Sequence, residues 1–439
     1  MPAIFQAPSG QEEQIYATAL ASLAGIGRAT LVCLLERFKP SQVYELLRSG
    51  KVRSIDFEES ESTCTKRIIS RIRGLDVEMI RRQLDGLALS ELEGNLRTAK
   101  AGVHFYGGPG YPELFARDLE PPAVIFWKGL EELSRQNPDE PRLLASVLDG
   151  LTGRVGIVGT RNCSRYGRDC AVKFGYELST MGISVVSGLA QGIDYWAHDG
   201  AITCGDATPI GVVATGTDVI CPSSSKPIYD KLTRKGIVIS EYPPLAGPKP
   251  WHFPARNRLI AALSQVVVVV ESNLSGGAMG LATMSLARDI PTMAVPGSIF
   301  SLVSRGTNQL IYQGASPVTD TTDILVGLGL SHFSSRNTGS ISESQSFPAG
   351  DGGQPSHEHD DQPIVLTEDQ LRVLRSIDFE PTPTNAILNR CPDLAVGAIH
   401  AVLCSLEGLG LVSPDQGWWT RTEKAREDRL PIKSICSDS

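Results

Sequence analysis

The sequence predicts an α/β fold built on a doubly wound parallel sheet. Three observations carry the prediction. Strand-like and helix-like runs alternate from Val155 to about Leu330, the pattern that covers a parallel sheet with helices on both faces. The runs at 155–158, 265–270 and 292–295 are almost continuously apolar, as strands buried on both faces are. The strand-like runs also stop at glycine-bearing loops: Gly159-Thr160-Arg161, Ser187 to Gly192, Ala214-Thr215-Gly216 and Glu271 to Gly277. In a parallel sheet these loops share one edge, the carboxyl ends of the strands. Further strands are expected at 183–186, 209–213 and 237–240, and helices are expected to start near Tyr166, Asp194, Ser225, Arg256 and Gly277.

The rest of the 439 residues calls for additional domains. Residues 1–102 read as a helical domain, with Ala17, Leu20, Leu23 and Leu31, Leu34, Leu35 at helical spacing around Gly25-Ile26-Gly27. That glycine pair is either a helix-hairpin-helix turn whose N–H groups hold a phosphate, or a plain interhelical turn. Residues 103–129 read as an extended lead-in strand to the main domain, 103–332, and 130–150 as helix plus loop. Residues 333–362 are Ser-, Gly-, Asp- and Pro-rich and read as a disordered linker; without a scaffold, His357 and His359 there make no metal site. Residues 363–421 show three helical runs (367–376, 383–389, 395–407) and a hairpin signal around Asp415-Gln416-Gly417, a winged-helix-like pattern. Its third helix has no Lys or Arg, so contact with protein fits it better than a DNA groove. The tail, 422–439, reads as loose.

Net charge is −8, distributed as −3 over residues 1–150, +2 over 151–332 and −7 over 333–439. A polyanion is therefore expected to meet a local patch in the central segment. The nine cysteines are scattered without a C-x-x-C pair, which indicates neither a disulfide framework nor a zinc site. No secretory signal is seen and no apolar run reaches the roughly 18 residues of a membrane span. A cytoplasmic location is expected, and no cofactor or metal.

The strand-end loops hold the candidate chemistry. Gly159 lets the backbone approach a ligand, and Arg161 can grip a phosphate bidentately or be an ordinary turn arginine. Ser187, Gly188 and Gly192 bracket a loop that opens a helix, on which Asp194 and His198 share a face; a structural Asp–His pair or an N-cap explains them better than catalysis. Glu241 and Glu271 could be general bases, but fit better as acceptors for neighbouring loops or for an arginine such as Arg258. The sharpest set is Phe253, Arg256, Asn257 and Arg258, with Lys249 just before it. Arg256 and Arg258 stand two apart and cannot share a helix face, so one can reach a phosphate while the other locks the loop. An aromatic platform among cations suits single-stranded nucleic acid; a hydrophobic anchor among surface charges is the plainer reading. Ser275, Gly276 and Gly277 open another helix whose N-terminus can hold an anion.

These motifs, in order, resemble the DNA-processing protein A (DprA, also called Smf) family: Ile157-Val158-Gly159-Thr160-Arg161, Val186-Ser187-Gly188-Leu189-Ala190 with Gly192-Ile193-Asp194 and Ala197-His198, Ser240-Glu241-Tyr242-Pro243, Phe253-Pro254 with Arg256-Asn257-Arg258, and Ala294-Val295-Pro296-Gly297 with Gly306-Thr307-Asn308. Cys221-Pro222 departs from the family's Tyr-Pro, and the 275–281 loop carries an extra glycine. The resemblance covers about 111–330. It implies a Rossmann-like domain with an N-terminal SAM/helix-hairpin-helix-like domain and a C-terminal winged-helix-like one. It further implies a non-enzymatic protein that binds single-stranded DNA, protects it during natural transformation and loads the RecA recombinase, as a homodimer through the Rossmann-like domain. By motif, Arg161, Phe253, Arg256, Asn257, Arg258 and the 275–277 loop would line the DNA pocket. The competing reading is a Rossmann-like nucleotide phosphoribohydrolase, against which no glutamate follows the 275–280 loop between Ala278 and Arg288.

Overall fold

The computed structural model describes residues 10–55, 63–129, 144–204, 207–330, 366–378 and 382–394, with scattered positions from 399 to 425. The expected linker at 333–362, with His357 and His359, lies outside them. So do much of the expected 395–407 helix and, apart from Thr422 and Ala425, the tail. The chain divides into two compact units, Met1–Ile341 and Ser342–Ser439.

In the first unit, helices α1 (Gly10–Ala21), α2 (Arg28–Leu35), α3 (Pro40–Ser49), α4 (Thr63–Arg73), α5 (Val77–Asp85) and α6 (Leu89–Ala99) precede the sheet. The turn between α1 and α2 needs Gly25, at φ +89°. Leu20, Leu34, Leu47 and Ile80 share a core with Val103, Val124 and Phe126, so the helices bury their apolar faces against the edge of the sheet.

The sheet has nine strands: β1 (Gly102–Phe105), β2 (Val124–Gly129), β3 (Gly153–Val158), β4 (Ile183–Ser187), β5 (Ile210–Val212), β6 (Ile237–Ser240), β7 (Val266–Val269), β8 (Thr292–Ala294) and β9 (Ser316–Pro317), in the order β1-β2-β6-β5-β4-β3-β7-β8-β9. From β6 to β9 every pairing is parallel; β1–β2 and β2–β6 are antiparallel. The single lead-in strand expected at 103–129 is thus two strands. Gly107 and Gly110, both at φ above +70°, and the short helix α7 (Glu113–Ala116) turn the chain back between them, because glycine alone adopts that backbone without strain. The sheet is mixed at this edge.

Helices α8 (Leu144–Asp149), α9 (Arg165–Thr180), α10 (Ile193–Cys204), α11 (Lys226–Lys235), α12 (His252–Leu263), α13 (Gly277–Leu286), α14 (Arg305–Tyr312) and α15 (Thr321–Gly327) follow. Side chains alternate across a strand, and β3 and β7 use both faces. Val155, Ile157, Val266 and Val268 pack with Phe174, Ala197 and Ile324 on one side. Val158, Val267 and Val269 pack with Leu259, Leu281 and Leu310 on the other. The expected parallel strands match those observed to within about two residues at each end. Helix α12 differs most: it begins at His252, with Pro254 inside its first turn, where a missing N–H costs nothing. Among the described residues no helix is long and apolar enough to cross a membrane.

In the second unit, α16 (Glu368–Arg375), capped by Thr367, and α17 (Thr384–Arg390) stand beside a sheet of β10 (Thr382–Pro383), β11 (Val412–Asp415) and β12 (Trp418–Arg421), ordered β10-β12-β11. Strands β11 and β12 pair antiparallel, as the hairpin signal predicts. Leu374, Ile387, Leu403 and Trp419 belong to its core.

Candidate functional site

The chain steps outward from β3 through β4 and β5 to β6, then returns to place β7 on the other side of β3. The crevice beyond the carboxyl ends of β3 and β7 is the topological switch point, where open α/β sheets take ligands. A cavity of about 780 Å³ occupies it, bordered by the β3 loop, α12 and the start of α13.

The β3 loop is held by its neighbours. Thr160 N–H donates to the Glu271 carbonyl at 2.8 Å, and Ile193 N–H donates to the Thr160 carbonyl at 3.2 Å. The Glu271 carboxylate accepts from Ser164 N–H at 2.8 Å and from its hydroxyl at 2.5 Å, while Ser164 caps α9. Burial pushes the Glu271 carboxyl up, and the Ser164 bonds pull against that. Glu271 is therefore a loop anchor and not a free base. Arg161 stays exposed, its guanidinium 5.2 Å from the centroid of the Phe253 ring, at the range of a cation–π contact.

The floor is built by Arg256, which is 6% exposed. Its Nη1 donates to the Gly188 carbonyl at 2.7 Å and to the Val212 carbonyl. Asp194 faces it and accepts from Gly188 N–H at 3.1 Å; burial pushes its carboxyl up, and the Arg256 charge and the nearby N–H groups of Gly188, Gly159 and Ala190 pull against that. A side chain at Gly188 would collide with both Arg256 and Asp194, so the position needs glycine. The expected Asp194–His198 pair does not form. The His198 ring is fully buried with neither nitrogen well hydrogen-bonded, and burial pulls its pKa down to about 4.

Of the expected residues, Gly159, Arg161, Phe253, Arg256, Asn257, Gly276 and Gly277 border this cavity. Gly192, at φ +85°, borders a smaller cavity that shares Arg161. Five border neither. Ser187 is buried, with its hydroxyl donating to the Ile157 carbonyl at 2.6 Å. Gly188 lies beneath Arg256. Lys249 is exposed, its ammonium 5.7 Å from the Trp251 ring centroid. Ser275 is exposed in the loop before α13. Arg258 pairs with Glu241 and donates to the Glu120 carbonyl at 2.7 Å, so it locks the structure away from the cavity, while Arg256 is locked beneath it. Glu241 is thereby an ion-pair partner. At α13 the N-cap is Gly276, with no side-chain cap, which leaves first-turn N–H groups for an anion. Asp194 is the only carboxylate among the described residues bordering the larger cavity. The sequence reading missed the apolar wall, Leu281 and Met284, whose signal was a helix too uniformly apolar to show which face is exposed.

The fold and the site define a doubly wound α/β protein with a glycine-lined, cation-bearing cavity at its switch point. The family model described as DNA recombination-mediator protein A matches residues 102–329, and the chain belongs to that family, whose members carry the names DprA and Smf. Protein Smf of Synechocystis is 30% identical over 320 residues, 70% of this chain and 77% of that protein. DNA processing protein DprA of Bacillus subtilis is 37% identical over 215 residues, 49% of this chain and 67% of that protein. The X-ray structure of DprA from Streptococcus pneumoniae superposes with a TM-score of 0.56 at 26% identity, covering 73% of this chain and 98% of that one.

Proposed function

We propose that this chain binds single-stranded DNA in the switch-point cavity, without strict sequence preference and without turnover, as a recombination mediator. The observation that carries the reading is Arg161 held exposed beside Phe253 at a cavity floored by Arg256 and closed by the α13 N-terminus. Cations and N–H groups suit the backbone phosphates and the ring suits a base. A duplex hides its base faces, so single strands are the preferred form. The bordering carboxylate is buried and held by Gly188 N–H against Arg256, which favours binding over hydrolysis.

The protein protects incoming DNA during transformation and hands it to RecA in the cytoplasm. It does so as a homodimer, for which the exposed Ile299, Phe300, Leu302 and Tyr312 of the first unit supply apolar surface. The 363–421 module is winged-helix-like and contacts protein, tethered by the 333–362 linker to the 103–332 DNA-binding domain, with the 1–102 helical domain preceding it. The test compares oligo-dT, the matching duplex and nucleoside monophosphates. Binding of the single strand with no base released from monophosphates supports the proposal; release of free base from a monophosphate overturns it in favour of a phosphoribohydrolase.

A further inference from the structure

The smaller cavity, about 410 Å³, lies beside the main one. Arg161, Gln191, Gly192, Tyr195, Trp196 and Ser224 border it, and Arg161 borders both cavities. Tyr195 and Trp196 stand in the first turn of α10, their rings edge-to-face at 5.0 Å and 75°. The Arg168 guanidinium of α9 lies 3.8 Å from the Trp196 ring centroid, which fixes the indole through a cation–π contact. A volume toward the lower end of the roughly 300–1,000 Å³ of small-ligand sites suits one planar group better than a peptide. Arg161 pairs with no carboxylate among the described residues, so its charge is available at the junction.

We propose that this second cavity takes the neighbouring base of the same DNA strand. The base rests against the Tyr195–Trp196 wall, and the phosphate linking it to the base in the main cavity sits at Arg161. The inference rests on the main cavity being the DNA site. Two rings on adjacent positions, one of them pinned by an arginine, form a preordered platform, and every base has a face to offer it. A strand with both cavities filled turns sharply at Arg161, so the length of the strand governs whether the platform is used.

The test uses the full chain and oligo-dT carrying 5-iododeoxyuridine, with the photo-adducts mapped by mass spectrometry. Adducts on Tyr195 or Trp196, alongside those near Phe253, are expected. In parallel, Tyr195→Ala and Trp196→Ala should weaken binding of longer strands by roughly 5- to 150-fold, the equivalent of about 1–3 kcal/mol per stacked base. Binding of the shortest strand that the main cavity alone accepts should stay unchanged. Adducts confined to the Phe253 side, with both variants binding every length as wild type does, overturn the second site and leave the first intact. Full binding by Arg161→Ala instead would overturn the main site. If a variant fails to fold, the adduct map on the wild-type protein decides.

Discussion

Replacing Arg256 by alanine should damage the fold as much as the binding, and the structure gives the size of the effect. Nη1 of Arg256 satisfies the carbonyls of Gly188 and Val212, both buried. A buried acceptor left unpaired costs about 1–3 kcal/mol, so two of them cost roughly 2–6 kcal/mol. For a domain of this size each kcal/mol lowers the unfolding midpoint by about 2–4 °C, which gives a fall of roughly 4–24 °C. Removing the charge that faces the buried Asp194 adds to the destabilisation. Arg161 is exposed and makes no such bonds, so Arg161→Ala should shift the midpoint by no more than about 2 °C while weakening DNA binding. Thermal unfolding and DNA titration of both variants, measured on the same preparations, separate floor from mouth. An Arg256→Ala protein that melts like wild type yet has lost DNA binding would show that Arg256 acts on the ligand and not on the floor.

Three further outcomes are expected. Gly192→Ala places a Cβ against the Thr160 and Arg161 carbonyls at φ +85°; the left-handed backbone alone costs about 1–2 kcal/mol, and the displaced Arg161 loop should bind DNA less well, read as a lower midpoint and a raised Kd. Burial lowers the His198 pKa from 6.5 to about 4, so the unfolded chain takes up more protons in that interval. The stability from its neutral burial is fully present above pH 6.5 and lost as pH falls toward 4; melting curves of His198→Leu should fall less steeply over that window than wild type's, and an identical pH profile would refute the assignment. Arg258→Ala leaves the Glu241 carboxylate buried without its partner, at a cost of about 3–5 kcal/mol. At temperatures well below its midpoint it should still bind DNA nearly as wild type does, which a titration checks.

The parallel sheet was legible because its strands are runs such as Val266 to Val270, apolar on both faces, and because glycines mark where they stop. The antiparallel β1–β2 edge was not. Residues 102–129 hold two short strands and a four-residue helix, too brief for either periodicity to establish itself. The start of α12 is hard to place because Pro254 reads as a boundary, although proline is welcome in a first turn. At the site, Arg161 and the α13 N-terminus stand out because glycines flank them at strand ends, and Phe253 because it is an aromatic ring set among Lys249, Arg256 and Arg258. The division of labour between Arg256 and Arg258 could not be read from their spacing. It depends on partners far away in sequence, Gly188 and Val212 for one and Glu120 and Glu241 for the other. Helical spacing alone pairs Asp194 with His198, whereas the Gly188 N–H at the preceding strand end claims its carboxylate.

DNA bound as proposed lies at the cavity mouth formed by Arg161 and Phe253. The most direct test is fluorescence anisotropy of labelled oligo-dT over a salt series, with wild type, Arg161→Ala and Phe253→Ala. Wild type should bind more weakly as salt rises. Arg161→Ala should flatten the plot of log affinity against log salt by about 0.7 for each phosphate that the guanidinium neutralises. Phe253→Ala should lose roughly 1–3 kcal/mol of affinity, as one stacked base is worth, with the slope unchanged. Affinity and slope identical to wild type in both variants would place the DNA elsewhere on the molecule.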